Sequence, residues 1–217
     1  MMSNKPVFSS NPDIYKTAYL NWRMSEREIP ENLYQMGQAF GKGAMTLLDT
    51  CLEDNNGHRA DVLIFPILYS VDQCIEVNIK GILYNLDILE GCKPSNYVTH
   101  DISQLLSQMK ARIKKHDVTT KGLEKHLEPV QTYVDELFQY IGQSAGKPQM
   151  DFARYPIDSE GNSFFYVVSR GNVTVDLVQL KEQLQEIINS LDALYLKYSA
   201  ERDVMNECLA MMAPAEE

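Results

Sequence analysis

The sequence contains no Cys-x-x-Cys pair, and its four cysteines, Cys51, Cys74, Cys92 and Cys208, do not alternate with its four histidines at the spacing that zinc ligands need. No metal site and no cofactor are expected. Three of the cysteines fall inside helix-like apolar patterns and read as small buried hydrophobes. Nucleotide-binding glycine patterns are missing too, as are His-Glu-x-x-His, Gly-x-Ser-x-Gly and the kinase signature. Any active site must therefore be assembled from residues far apart in the chain. Long apolar runs are also lacking: the stretch Val62 to Tyr69 stops well short of the ~20 residues of a bilayer span. Met1 to Ser10 has neither the basic start nor the apolar centre of a secretory signal. The expected location is the cytoplasm, away from any membrane. Positive charge is scarce, with 20 Lys and Arg against 30 Asp and Glu and a net charge of −10. Such a surface repels phosphate backbones at long range, which argues against a general nucleic-acid coat protein and against DNA as a partner.

What is present is apolar periodicity. The 217 residues suit one domain, and 44% hydrophobic against 23% charged residues is ordinary globular composition. Asn11-Pro12 predicts the start of a short helix through Tyr15, Ala18, Tyr19 and Trp22. After Pro30, the stripe Leu33, Met36, Phe40, Leu47 and Cys51 predicts a second helix that ends at Asn55-Asn56-Gly57. A third, from about Asp61 to Leu89, is apolar around so much of its surface that it should be buried on more than one side, with Pro66 at its first turn or at a kink. Ile102, Leu105, Leu106, Met109 and Ile113 describe a fourth helix entered through Thr99-His100-Asp101. Leu123, Leu127, Val130, Val134, Leu137 and Ile141 describe a fifth, interrupted by Pro129. Phe152 to Ile157 and Phe164 to Val168, joined by Asp158-Ser-Glu-Gly-Asn, read as a β-hairpin. Leu177, Leu180, Leu184, Ile187, Leu191, Leu194 and Tyr198 form the last helix. The fold class is therefore mainly α: an antiparallel bundle of four to six helices with a small hairpin before the C-terminal helix. The organisation is a disordered 1–10, a bundle domain over 11–205 with the hairpin inserted near 150–170, and a frayed tail over 206–217.

Several polar groups stand out against this pattern. Asp72, Glu76 and Lys80 lie four residues apart on one helical stripe, where the plain reading is an i,i+4 ion pair. His100 opens the next helix, where capping is its more frequent use. Lys110, Arg112, Lys114 and Lys115 form a basic run that continues into His116. In the last turn of a helix its plain role is to complement the helix dipole, and its alternative role is to bind phosphate.

The segment Tyr69-Ser-Val-Asp-Gln-Cys-Ile-Glu-Val-Asn-Ile-Lys-Gly-Ile-Leu, followed by His100-Asp101-Ile102, resembles the HEPN superfamily of prokaryotic helical proteins. There a Glu-x-x-x-Lys helix is followed by a His-Asp-Leu helix start. Glu76, Lys80, His100 and Asp101 occupy the matching places, with Ile102 standing where the family has leucine. Arg154-Tyr155-Pro156, then Asp158 and Gly161, is similar to a hairpin segment of some bacterial members. The resemblance spans about residues 30 to 200 and implies a dimeric helical bundle, often serving toxin–antitoxin, abortive-infection or other defence systems. The family's ribonucleases carry an arginine four to six residues before a histidine, and none of His58, His100, His116 or His126 has one at that spacing. Arg112 and His116 are only one helical turn apart.

The function expected is a non-catalytic, HEPN-like dimeric module that binds a partner protein, a nucleotide or RNA, in bacterial stress response or phage defence. Asp72, Glu76, Lys80, His100, Asp101, Lys110, Lys114, Lys115 and Arg154 are its candidate ligand-binding residues. One alternative is a divergent, metal-independent endoribonuclease that uses Arg112 with His116, or His100 with Lys80 and Glu76. Another is a purely structural scaffold.

Overall fold

The computed structural model describes residues 6–21, 23–26, 28–95, 97–117, 122–142 and 150–212, without the side chains of residues 123, 124 and 150. Its helices are α1 (Ile29–Glu53), α2 (Arg59–Leu89), α3 (Ile102–His116), α4 (Leu123–Ile141), α5 (Phe165–Val168) and α6 (Leu177–Met212). The protein is a mainly α-helical bundle, as its periodicity predicts. At 1.5 Å per residue α2 is ~46 Å long and α6 ~54 Å. α2 is the central element: α1, α3 and α6 all pack on it, and α4 packs on α6.

From Val71 to Asp87 nearly every residue of α2 is buried, polar ones included. By length and composition α2 is also apolar enough to cross a membrane, contrary to the expectation from short runs. Half of that window is buried inside the bundle, where α2 serves as the core helix. Pro66 lies within α2 without ending it, and Pro129 does the same in α4.

α1 forms where expected, but on a different face. Its buried positions are Pro30, Gly37, Gly41, Ala44, Leu48 and Cys51, whereas Met36 is exposed. Large side chains suggested the wrong stripe because the true one is built from small residues that let α1 approach α2 closely. A Cβ on Gly37 would sit 2.6 Å from Asn78 Cγ, and one on Gly41 would sit 2.9 Å from both Cys74 Sγ and Ile188 Cδ1. Asn78 is fully buried, and its Nδ2 donates to the Cys74 carbonyl at 2.7 Å.

The other long helices bury the residues that defined them: Ile102, Leu105, Leu106, Met109 and Ile113 in α3, and Leu184, Ile187, Leu191, Leu194 and Tyr198 in α6. In α4, Leu127, Val130, Val134, Leu137 and Ile141 are buried. α6 continues to Met212, past the boundary drawn at 205, while 213–217 lie outside the described residues.

Two predicted elements are replaced. The first helix reduces to a 3-10 turn, Ile14–Lys16, which buries nothing. Asn11 accepts from the Asp13 N–H at 2.9 Å and Asp13 from that of Tyr15 at 3.1 Å. These local side-chain bonds compete with a helical ladder that no tertiary packing supports.

The hairpin is not seen as two strands among the described residues, although its turn forms. Among the described residues there is no sheet, only a single antiparallel bridge between Ile157 and Ser163, and the second predicted strand is α5. Asp158 closes the turn by accepting from the backbone N–H groups of Glu160 and Asn162, and Gly161 takes a left-handed φ of 86°. Burial explains the change. Strand alternation would turn consecutive aromatic side chains to opposite faces, whereas the helical turn leaves both Phe164 and Phe165 buried, with Phe152 buried beside them. Of the cysteines, Cys51 and Cys74 are buried as expected, but Cys208 is exposed.

The close approach of α1 to α2 makes two glycines of one helix respond in opposite directions. Gly37→Ala lowers stability by about 1–3 kcal/mol, because the new methyl overlaps a fixed side chain. Gly43→Ala meets nothing within 4 Å and raises stability by roughly 0.5–1 kcal/mol. Urea unfolding followed by circular dichroism reads both, and effects of equal sign would refute the close packing.

Candidate functional site

The four-residue spacing on α2 places Asp72, Glu76 and Lys80 along one edge, and the loop that follows α2 brings His100 onto it. Glu76 is 4% exposed. Its Oε1 accepts from Lys80 Nζ at 2.7 Å and lies 3.0 Å from His100 Nδ1, while Gln73 Nε2 reaches Oε2 at 3.3 Å. One buried carboxylate is thus shared by two basic side chains. Lys80 is largely covered, whereas the His100 side chain is 75% exposed. With Nδ1 turned to Glu76, Nε2 is the ring nitrogen left for solvent or a ligand.

His100 does not cap α3. Asp101 does, its Oδ1 accepting from the Gln104 N–H at 3.0 Å, because the shorter side chain sits at the position whose oxygen reaches that amide. Asp101 is thereby a structural residue of this corner.

Asp72, one turn before Glu76, is met by α4: Tyr133 Oη donates to its Oδ1 at 2.9 Å. Its other oxygen is buried and has no hydrogen-bond partner among the described residues. Burial pushes the Asp72 acid up to about 8, the nearby Glu76 charge adds to this, and the Tyr133 hydrogen bond only partly offsets it. Asp72 therefore holds its proton at neutral pH. Burial and the adjacent Asp72 likewise hold the Tyr133 phenol well above its usual range.

The basic run on α3 is divided between two networks. Arg112 turns toward the end of α2, where Nη1 meets Asp87 at 2.7 Å and Nε meets Glu90 at 3.0 Å; Lys115 joins Glu90 at 3.0 Å. Asp87, 2% exposed, also accepts from Tyr97 Oη at 2.7 Å and from the Ser95 N–H at 2.9 Å. Burial raises Glu90, but the Lys115 and Arg112 hydrogen bonds outweigh it and hold the carboxylate below its usual range. Arg112 thus fixes the loop between α2 and α3.

His116 turns to α6, where its Nε2 lies 2.9 Å from Glu201 Oε2. Lys197 bridges Glu201 and Asp117 at 2.8 and 2.9 Å, and Tyr198 Oη donates to Asp117 at 2.7 Å. Burial raises Asp117, yet Tyr198 and Lys197 bring it below the usual carboxylate range.

Arg112 and His116, suggested as a pair by their spacing, thus engage carboxylates on different helices and do not converge on one point. Lys110 is bonded to Gln131 of α4, and Lys114 is exposed. Arg154 lies apart from both networks: it pairs with Asp151 and sits over the rings of Tyr69 and Tyr155, at 5.8 and 5.5 Å from their centroids.

The sequence brought Asp72, Glu76, Lys80 and His100 to notice, and the fold joins them into one corner. It gave no indication of Tyr133, Asp87, Glu90, Asp117, Lys197 or Glu201, whose pairings span tens of residues. Among the described residues, no group of three or more His, Cys, Asp or Glu is placed to hold a metal ion.

A buried acid that binds its proton more tightly folded than unfolded makes stability fall as pH rises from its unfolded value, near 4, to its folded value, about 8. A tenfold difference in proton affinity is worth about 1.4 kcal/mol, so the loss across this window amounts to several kcal/mol. Asp72→Asn removes that dependence. Thermal unfolding between pH 5 and 9 should show a wild-type midpoint that declines and a variant midpoint that declines less; parallel curves would rule the protonated acid out.

The chain matches no family model, no curated protein and no solved structure.

Proposed function

We propose that the chain is a non-catalytic, HEPN-like helical module that pairs with a second copy of itself and acts by binding a partner protein. The observation that carries this reading is the end of α6. Arg202 is the last buried residue of that helix, and α6 runs on to Met212. Over those final turns Val204, Met205, Cys208, Leu209, Met211 and Met212 share one side at helical spacing, with Asp203, Asn206 and Glu207 opposite. Val204 is 60% exposed, Leu209 58% and Met212 80%. An amphipathic helix end whose apolar side is largely exposed among the described residues is a surface suited to another helix. Methionine, unbranched and polarisable, adapts to partners of different shape.

The basic groups argue in the same direction. Arg112, Lys115, His116, Lys197 and Lys80 are each engaged by a carboxylate of the same chain. A phosphate ligand would have to displace those carboxylates on a protein of net charge −10, so a protein partner is favoured over RNA or a nucleotide. A ribonuclease built on Arg112 with His116 is disfavoured because these two side chains face different helices. The family resemblance suggests the setting: a cytoplasmic component of bacterial stress response or phage defence.

Light-scattering mass in solution should give a dimer for the wild type and a monomer of unchanged helicity for Leu209→Glu/Met212→Glu. A wild-type monomer at tens of micromolar would refute the α6 pairing. Mixed RNA incubated with the wild-type protein should remain intact; degradation that is lost in His116→Gln or in His100→Gln would overturn the non-catalytic reading.

A further inference from the structure

A second surface, remote from the α6 end, has the form of a small-molecule site. Between the first turns of α2, the middle of α4, α5 and the first turns of α6 lies a cavity of about 440 Å³, within the ~300–1,000 Å³ range of ligand pockets. Six aromatic side chains line it: Phe65, Tyr133, Tyr140, Phe152, Phe165 and Tyr166. Five of them form a connected wall, with Phe65 against Tyr166 at 5.2 Å, Tyr166 against Phe165 at 5.5 Å, and Phe165 against both Tyr140 and Phe152 at 5.7 and 5.9 Å between ring centroids. The hydroxyl of Tyr133 is engaged by Asp72, so that residue offers the cavity its ring. Leu68, Leu137, Leu180 and the valines before α6 complete the apolar lining.

The charges at this cavity are of one sign. Glu136 and Asp176 line it, and among the described residues no lysine or arginine does. Asp176 accepts both helix-capping bonds, from the Val178 and Gln179 N–H groups, on Oδ1. The cavity adjoins an open groove that shares Thr132, Glu136 and Tyr140 with it and adds Asp135 and Gln139, again without a basic residue among the described ones. Aromatic ring faces and carboxylates both attract a cation, and an apolar enclosure favours a hydrocarbon body. A carboxylate or phosphate ligand would meet like charge from Glu136 and Asp176 and find no basic partner among the described lining residues.

We infer that this cavity is a binding site for an organic cation: an amine or ammonium group carried on an apolar, aryl or alkyl body. The body lies against Leu68, Phe152, Phe165 and Leu180, and the cationic head lies toward Glu136 and Tyr140. The site is independent of the α6 surface, so either inference stands or falls without the other.

The test uses three matched probes, 4-phenylbutylamine, 4-phenylbutanol and 4-phenylbutanoate, titrated at pH 7 and followed by calorimetry and by saturation-transfer NMR. The amine should bind tightest, roughly tenfold or more above the carboxylate, with the alcohol between them. Val175→Trp places a large ring at a cavity residue that is 40% exposed and should abolish binding of all three, with the thermal midpoint of the free protein showing that the variant is folded. Glu136→Gln should weaken the amine several-fold while leaving the alcohol unchanged. Failure of the amine to saturate the wild-type protein at millimolar concentration, binding of the carboxylate as tight as that of the amine, or undiminished binding in folded Val175→Trp would each overturn the inference.

Discussion

A helix buried on every side leaves its polar residues nowhere to turn for water, and each must be met from within the protein. α2 is such a helix. Asp72 is met by Tyr133 of α4, Glu76 by Lys80 and by His100 at the approach to α3, and Asn78 by a carbonyl of its own helix. Asn85 accepts from Arg202 of α6 at 3.1 Å, and Asp87 is met by Arg112 of α3. Between them these side chains reach three of the surrounding helices. Apolar packing brings the helices together without fixing their register, and the buried polar pairs supply that register, since a helix displaced by one turn leaves a charge or an amide without its partner. The bundle is organised around what α2 must have satisfied.

The division of the basic side chains follows from the same requirement. On paper Lys110 to His116 is a patch of positive charge, but in the folded chain its members are distributed to carboxylates at the end of α2 and on α6. Lys114, Lys115 and His116 do lie in the last turn of α3, and Arg112, Lys115 and His116 tie that helix to its two neighbours.

The long helices were legible because leucine, isoleucine and valine at three and four intervals can be satisfied only by one geometry. Where the face is made of glycine and alanine, as in α1, periodicity of large residues points to the neighbouring stripe instead: Met36 marks the solvent side and Gly37 the core. The segment from Phe152 to Val168 carries strand-forming residues, yet burial of its aromatic rings decided in favour of tight turns, a tertiary preference that local propensity does not contain. Of the polar corner, the part on α2 was visible as an i,i+4 series and His100 by its place before a helix. Tyr133 was not, since nothing in its surroundings distinguishes it from the other tyrosines until α4 is laid against α2. The cavity was equally hidden, although the density of aromatics between Phe152 and Tyr166 was the signal available.

The seat of Gly37 on Asn78 bears on how this sequence can drift. Atoms gained at one of the two positions have to be surrendered at the other, and the Asn78 amide cannot be shortened without also releasing the Cys74 carbonyl it holds. Positions 37, 78 and 74 behave as one coupled unit, so substitutions there should be inherited jointly across descendants of this chain, while Gly43, two turns along the same helix and free of neighbours, is open to exchange on its own.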